Sequence, residues 1–319
     1  MSTPHDVPHL AAQAQALVAQ QRYAEAIPLY DQALALQPSS VYLLSEKATA
    51  LLKLQRFAEA LDTNNGILAL DPQNGNAWRI KGFALTRLER YSEALLAFDQ
   101  ALRFLPEGDD AWNETIRNQA ILLSITHRPA DALTTIERAL TVPTLTREAQ
   151  SDLWQAKGLR LRELNRAEEA LAAFDQAVTL DPQVANNWAN RGSILGQLGR
   201  AKEALDSLDR ALALDPQHAM AWATRGGALG KLGRLQEALE SCDRALAIDQ
   251  RNVFAWINRG VDLLRIGRLQ EALESCDRAL VIDPQNALAW ENRGTVLERL
   301  GRTNEAQAAF DQARTIRGK

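Results

Sequence analysis

The sequence has few of the residues that build metal centres, disulfide frameworks and membrane spans. Its 319 residues include two cysteines and four histidines. The histidines fall in the N-terminal tail or in loops, and we identify no set of metal ligands around them. No segment reaches the roughly 18 apolar residues of a membrane-spanning helix. We therefore expect no metal, no cofactor and no membrane association.

A basic surface is also missing. The chain carries 36 Lys and Arg against 40 Asp and Glu, for a net charge of −4. These charges are spread out, without the basic stripe that binding to nucleic acid requires, so nucleic acid is not an expected partner. Residues 1–10 lack a basic flank followed by an apolar run, and we therefore expect a cytoplasmic protein.

The sequence does contain a repeat, marked by its seven tryptophans. Away from residues 109–150 they are spaced 34 residues apart: Trp78, Trp112, Trp154, Trp188, Trp222, Trp256 and Trp290. With Trp as position 4, nine frames begin at residues 7, 41, 75, 109, 151, 185, 219, 253 and 287, and the fourth holds eight extra residues. A period of this length predicts one stack of helix pairs rather than two ordinary domains.

Three further columns, each one repeat position compared across all frames, follow the same period. Position 8 is small, as in Gly192 and Gly226, position 20 is alanine, and position 32 is usually proline, as in Pro182. Small residues let two helices approach, Trp and Phe fill the space between them, and proline ends the second helix. In the frame that begins at residue 185, these features predict helices over 185–198 and 202–215.

With these columns the chain resembles the tetratricopeptide repeat family, whose pattern of Trp, Leu-Gly, Tyr, Ala, Phe and Pro it matches over nearly its whole length. Ala170 with Phe174 keeps the family's spacing, whereas Leu208 stands where Phe is usual. The resemblance implies an all-α fold, a right-handed superhelical solenoid of stacked antiparallel helix pairs. It also implies a protein that binds other proteins and is not an enzyme.

The frames divide the chain into four parts. These are an N-terminal tail (1–6), three repeats (7–108), an irregular repeat (109–150) and five repeats (151–319). In the last repeat Gln307 and Arg314 replace apolar residues, so we expect a polar capping helix that completes the array. In the irregular repeat we assign four extra residues to an added helical turn and four to a longer loop after Pro143. A tolerated insertion and a hinge are both open.

Two sets of residues that suggest chemistry have structural explanations. Cys242 and Cys276 lie one repeat apart, too far from each other for a disulfide, and we interpret them as small buried residues. Lys or Arg precedes position 8, as in Arg191, and position 25 is acidic, as in Asp175. We expect these two columns to pair between helices rather than to bind phosphate.

Most of the candidate binding residues come from two nearly identical repeats. Residues 233–250 and 267–284 differ at two of eighteen positions, whereas the first helices before them differ at nine of fourteen. Either those first helices read different parts of an extended ligand, or they drift on an unconstrained face. The candidates are apolar residues and nearby basic ones: Met220, Phe254, Ile257, Val261, Leu264, Lys231, Arg265 and Arg299. A partner segment with an apolar anchor flanked by acidic residues would suit them.

Asparagine recurs at position 6, as Asn118, Asn190, Asn258 and Asn292. An amide side chain both donates and accepts, so a row of amides can hold a peptide backbone. The row resembles the asparagine ladder in the tetratricopeptide arm of O-linked N-acetylglucosamine transferases, although the first three repeats lack it. The clamp that co-chaperones of the family use for a terminal carboxylate does not carry over, because Phe83 stands where it needs a polar residue.

We therefore predict an adaptor or scaffold that binds an extended segment of a partner protein in its concave groove, mainly in the last four frames. Two alternatives stay open. One is a structural scaffold or self-associating assembly protein that uses its convex face, and the other is a non-catalytic accessory subunit of an enzyme complex. Carboxylate pairs such as Glu168 with Glu169 lie at exposed helix starts, so they do not indicate catalysis.

Overall fold

The described part of the chain folds as α-helices joined by turns and loops. The computed structural model describes residues 6–318, and this range contains eighteen helices and no strand. They are α1 Val7–Ala19, α2 Tyr23–Leu36, α3 Val41–Lys53, α4 Phe57–Leu70, α5 Gly75–Arg87, α6 Tyr91–Phe104, α7 Asp110–Ile125, α8 Pro129–Leu140, α9 Arg147–Glu163, α10 Ala167–Leu180, α11 Ala185–Gln197, α12 Ala201–Leu214, α13 Ala219–Lys231, α14 Leu235–Ile248, α15 Val253–Arg265, α16 Leu269–Ile282, α17 Ala287–Arg299 and α18 Thr303–Arg317. The predicted all-α fold of helix pairs is confirmed.

Odd-numbered helices are the first of each pair and even-numbered helices are the second. The helices predicted over 185–198 and 202–215 are α11 and α12, which match within one residue at each end. Many first helices begin at a polar cap, because the free N–H groups of the first turn need an acceptor. The Asn252 side chain, for example, accepts a hydrogen bond from the N–H of Ala255 at 3.0 Å.

The turn inside each pair needs one residue in the left-handed region. In the last four repeats this residue is glycine: Gly199, Gly233, Gly267 and Gly301, with φ between 75° and 82°. In the first five it is Gln21, Gln55, Glu89, His127 or Asn165, with φ near 58°. Glycine adopts this conformation without the steric cost that a Cβ atom brings.

Small residues at position 8 let the two helices of a pair touch. A Cβ atom on Gly82 would lie 2.6 Å from the Phe98 ring, and one on Gly226 would lie 2.5 Å from the Cys242 sulfur. Cys242 and Cys276 are both buried and free, as expected. Burial raises the pKa of each thiol to about 12, so neither forms a thiolate near neutral pH.

The predicted pairing of the basic and acidic columns is also confirmed. The Arg191 guanidinium lies 2.6 Å from the Asp175 carboxylate of the preceding repeat, and Arg293 lies 2.6 Å from Asp277. These cations join consecutive repeats and are therefore structural. In α18, Gln307 and Arg314 are exposed, whereas the predicted tail at 1–6 lies, apart from Asp6, outside the described residues.

The helices form two compact units, which we call the N-terminal unit (to Leu164, α1–α9) and the C-terminal unit (from Asn165, α10–α18). Within each unit, a second helix packs against the first helix of the next pair. First helices also contact one another in series: α5 with α7 and α7 with α9 in the N-terminal unit, and α11 with α13, α13 with α15 and α15 with α17 in the C-terminal unit.

The extra residues of the irregular repeat are placed differently from the prediction. The loop after α8 covers 141–146, two residues more than the link at 181–184, and residues 147–150 already form the first turn of α9. The structure therefore contradicts the prediction that all four residues after Pro143 extend the loop. Thr146 caps α9 by accepting from the N–H of Ala149, and Leu145 is buried, so the loop is anchored. Its assignment as a tolerated insertion stays a prediction.

Candidate functional site

An apolar opening lies in the C-terminal unit, on a surface that α11, α13 and α15 form together. We call this surface the first-helix groove. It contains a cavity of about 580 Å³, lined by residues of all three helices. Apolar walls with a few polar groups are typical of ligand sites in proteins.

Glycines create the room. Gly196 on α11 and Gly227 and Gly230 on α13 all line the cavity. A Cβ atom on Gly196 would meet nothing within 4 Å, whereas one on Gly230 would lie 2.6 Å from a carboxylate oxygen of Asp262. The cavity therefore depends on missing side chains, and Asp262 can approach α13 only because residue 230 is glycine.

Two large apolar side chains flank the cavity and are open to solvent. Met220 is 53% exposed and Phe254 is 43% exposed. Val261 is a third apolar residue that lines the cavity, and it is half-buried. Covering such residues removes apolar surface from water, which favours the binding of a partner.

Polar side chains cross the groove to reach main-chain carbonyls of the preceding repeat. The Lys231 ammonium donates to the carbonyl of Gly196 at 2.6 Å, and the Arg265 guanidinium donates to that of Gly230 at 2.7 Å. These carbonyls belong to the last turns of α11 and α13, where helices leave acceptors unsatisfied. The Asn258 amide likewise donates to the carbonyl of Ala223 at 3.1 Å.

Asp262 is the one buried carboxylate in this cavity. It is only 2% exposed, and the nearest cation is Arg265, whose guanidinium lies 3.9 Å from it. Burial raises its pKa to about 6, while the charge of Arg265 acts in the opposite direction. A carboxylate is more costly to bury as an anion than in its protonated form, which explains the direction of this shift.

The structure brings together about half of the predicted binding residues. Those that line the cavity are Met220, Lys231, Phe254, Asn258, Val261 and Arg265. Ile257 is instead buried in the core with Leu280, and Leu264 packs against a core cluster that the last three repeats share. The cluster inferred from sequence is therefore divided between the groove and the core beneath it.

The remaining predicted residues lie apart from the cavity. Asn118 is on α7 in the N-terminal unit, Asn190 is on α11, and Asn292 and Arg299 are on α17. The Asn292 amide nitrogen is buried without a hydrogen-bond partner in the described part of the chain. Asn258 is thus the only member of the asparagine row that lines the cavity.

Sequence reasoning missed Asp262, although the repeat contains a signal for it. Asp262 is at position 10, which is apolar in seven frames: Ala16, Ala50, Ala84, Leu122, Ile194, Ala228 and Val296. The other exception is Arg160, in the N-terminal unit. A charged residue in a column of core residues indicates either a specific partner or a site.

The described range contains no group of three or more potential metal-binding side chains close enough to hold an ion. None of its helices has both the length and the apolar composition to span a membrane.

Comparison with known families gives an independent assignment. One tetratricopeptide repeat model matches residues 11–75, 66–111 and 189–253, which is more than half of the chain. Three more models of the same repeat match 151–184, 253–286 and 275–308. The matches leave out 112–150, which lies within the irregular repeat. No curated protein matches the chain.

Solved structures share the fold. A chain from the APC/C hetero-tetramer Cut9-Hcn1 superposes with a TM-score of 0.63 at 16% identity, over 90% of this chain and 55% of its own length. A tetratricopeptide repeat protein from Parabacteroides merdae ATCC 43184 gives 0.62 at 16% identity, over 76% of this chain and 93% of its own. With the repeat columns, the helix pairs and the family matches in agreement, this chain belongs to the tetratricopeptide repeat family.

Proposed function

We propose that this protein is an adaptor that binds an extended segment of a partner protein in the first-helix groove. The observation that carries the proposal is the cavity itself, where exposed Met220 and Phe254 stand beside a glycine-lined floor. Repeats of this family typically present such surfaces to other proteins, and an apolar side chain of the partner would bury both residues.

The polar groups of the groove support an extended ligand rather than a globular one. Asn258 uses its amide nitrogen on the carbonyl of Ala223, which leaves its amide oxygen to accept from a peptide N–H. Lys231 and Arg265 stand at the exposed edge, where each ammonium or guanidinium group has further donors for a partner's carbonyls or acidic side chains. These contacts would fix the segment's direction.

A second candidate function is a scaffold that binds through its outer, second helices, as in the predicted convex-face alternative. Val281 on α16 favours it, because this side chain is 80% exposed, more than any other large apolar residue described. One structural neighbour belongs to a hetero-tetramer, so a role in assembly is consistent with the fold.

Filling the groove separates the two candidates. Gly196→Phe places a ring where a Cβ atom meets nothing within 4 Å, so the helix can accept it. Ala213→Phe, at an exposed position on the second helix α12, is the matched control. The full chain is panned against displayed short random peptides, and the affinity of each enriched peptide is measured by calorimetry.

We expect Gly196→Phe to weaken the enriched peptides by about tenfold or more, because the ring occupies the site of the anchor residue. Ala213→Phe should leave their affinity unchanged. If the enriched peptides bind both variants as well as the natural chain and lose affinity on Val281→Glu, the groove proposal is wrong and the outer-helix candidate replaces it.

A further inference from the structure

We propose that the first-helix groove takes up one lysine or arginine side chain of the partner segment, with its charge directed at Asp262. This inference rests on the proposed function and specifies the chemistry of the partner. It reverses part of the expectation from sequence, in which the basic residues of the groove alone determined the ligand's charge.

The Asp262 carboxylate is buried without a close cation in the described part of the chain. Buried carboxylates in folded proteins are normally held by several hydrogen-bond donors or by a close cation. Among the described residues no donor lies within hydrogen-bond distance of Asp262, and the Arg265 guanidinium is 3.9 Å away. Arg265 already donates to the carbonyl of Gly230 and is half exposed, so it satisfies Asp262 only in part.

A hydrogen-bond donor can approach Asp262 from the cavity side. On the α13 side, the carboxylate lies against the bare backbone of Gly230, because any side chain there would collide with it. Asp262 also lines the cavity, so the open path to its oxygens runs through the cavity itself. A cationic group that enters by this path gains a charge-assisted hydrogen bond to a carboxylate that is itself buried.

The apolar side chains beside the path to Asp262 determine the shape of the group that fits. Met220 and Phe254 border the path, and both would pack against an aliphatic stem rather than a bare ion. Lysine and arginine combine such a stem with a terminal cation, and Phe254 can add a cation–π contact. A small inorganic cation would leave these apolar walls exposed.

The edge of the groove limits the ligand to one inserted basic residue. Lys231 and Arg265 carry positive charges beside the cavity, so a second cation next to the inserted one would be repelled. Acidic or apolar neighbours suit the edge better. The inferred motif is therefore a single lysine or arginine within an apolar and acidic segment. Its basic residue would pair with the buried carboxylate, and its acidic residues would pair with the two exposed cations.

The experiment compares peptides selected on the natural chain with those selected on Asp262→Asn. Glu240→Gln is the matched control, because Glu240 on α14 is exposed and its replacement removes the same charge. Asp262→Ala is a second variant that introduces the residue of the neighbouring frame, Ala228, and keeps the helix intact. Each selected peptide is also made with its basic residue replaced by glutamine.

If the inference holds, peptides from the natural chain share one lysine or arginine, and Asp262→Asn weakens them by about tenfold or more. Glutamine in the peptide and asparagine in the protein should then lower affinity non-additively, because both remove one contact. Peptides that Gly196→Phe displaces but that lack a shared basic residue and bind Asp262→Asn normally would overturn the inference and leave the groove function standing. Peptides insensitive to Gly196→Phe would overturn both.

Discussion

The two units connect their first helices by different means, and this difference determines where the surface of the first helices is left open. In the N-terminal unit, charged side chains bridge successive first helices. Arg79 lies 2.5 Å from Glu114, Arg117 pairs with Asp152, and Arg160 donates to the Ser124 hydroxyl at 2.5 Å. In the C-terminal unit, Lys231, Arg265 and Asn258 donate to backbone carbonyls of the preceding first helix. In the N-terminal unit Arg160 adds such a contact, to the carbonyl of Ala120 at 3.4 Å, to its side-chain bond.

A side chain that pairs with another side chain occupies the face between two helices. One that reaches a backbone carbonyl needs a small residue on the opposite helix, and Gly196 and Gly230 provide it. Similar connections along a repeat array can therefore either fill the surface of the first helices or leave it open. Position 10 shows the contrast most directly, with Arg160 in one unit and Asp262 in the other.

The largest expected effect concerns the first helices of the N-terminal unit, which charged side chains bridge. Arg160→Ala should lower the free energy of unfolding by about 2 kcal/mol, because it removes hydrogen bonds to Ser124 and Ala120 and an ion pair with Glu163. Chemical denaturation measures the loss. Arg138→Ala, at an exposed position in the same unit, should change it by less than about 0.5 kcal/mol. Equal losses would show that Arg160 does not brace this face.

A substitution at the same repeat position in the C-terminal unit, at Asp262, should change the free energy of unfolding in the opposite direction. Its pKa in the folded state is raised to about 6 from an ordinary value of 3.8, so folding favours the protonated form. Its contribution to stability is full below about pH 4 and is lost as the pH rises through about 6. Asp262→Asn should therefore raise the free energy of unfolding by about 1–3 kcal/mol at pH 7.5 and by much less at pH 4.

Denaturation of both proteins across this pH range measures the difference, with Glu240→Gln as the exposed control. A gain at Asp262→Asn that is the same at pH 4 and pH 7.5 would contradict the assignment, because it would not come from ionisation. The two position-10 variants together decide whether the units differ as described.

The turns give a third, smaller contrast. Glu89 has φ of 59°, whereas Gly267 has φ of 82° at the equivalent place. Glu89→Gly should therefore stabilise the protein by up to about 1 kcal/mol by relieving the left-handed strain, and Gly267→Ala should destabilise it by about 1 kcal/mol. Thermal unfolding of both variants checks the signs. Two changes of the same sign would mean that turn conformation does not distinguish the first five repeats from the last four.

The smallest effect concerns the asparagine row. Asn258→Ala should lower the free energy of unfolding by about 0.5–1 kcal/mol, because it removes the hydrogen bond to the carbonyl of Ala223. Asn190→Ala should cost less, since the described residues give its side chain no hydrogen bond. Amide hydrogen exchange in α11, α13 and α15 measures the local opening. Equal protection in both variants would indicate that the row has no structural role.

The sequence predicted the parts of this molecule that every repeat must share. Trp222 and Gly226 stand in columns that packing imposes, so the helix pairs and the small buried cysteines followed from spacing alone. The groove did not follow in the same way. Contacts there join residues 35 apart, such as Lys231 to Gly196, and depend on which single residue is glycine in the preceding repeat.

Two placements show why a repeat position is not sufficient. Ile257 and Val261 were assigned to one surface, yet Ile257 is 5% exposed in the core and Val261 lines the cavity. Helical periodicity resolves a face only to about one residue, because neighbouring positions differ by 100° and repeats twist relative to one another. Asp262 needed a comparison down its column, since nothing in its own repeat marks it.

The burial of both cysteines has a practical consequence. Cys242 and Cys276 are the chain's only thiols, and their pKa values of about 12 keep them protonated inside the helix pairs. Thiol-directed dyes and spin labels react with exposed thiolates, so we expect them to leave the two natural cysteines unlabelled. One cysteine introduced at an exposed site in each unit would be labelled selectively, which allows the distance between the units to be followed in solution as a partner peptide binds.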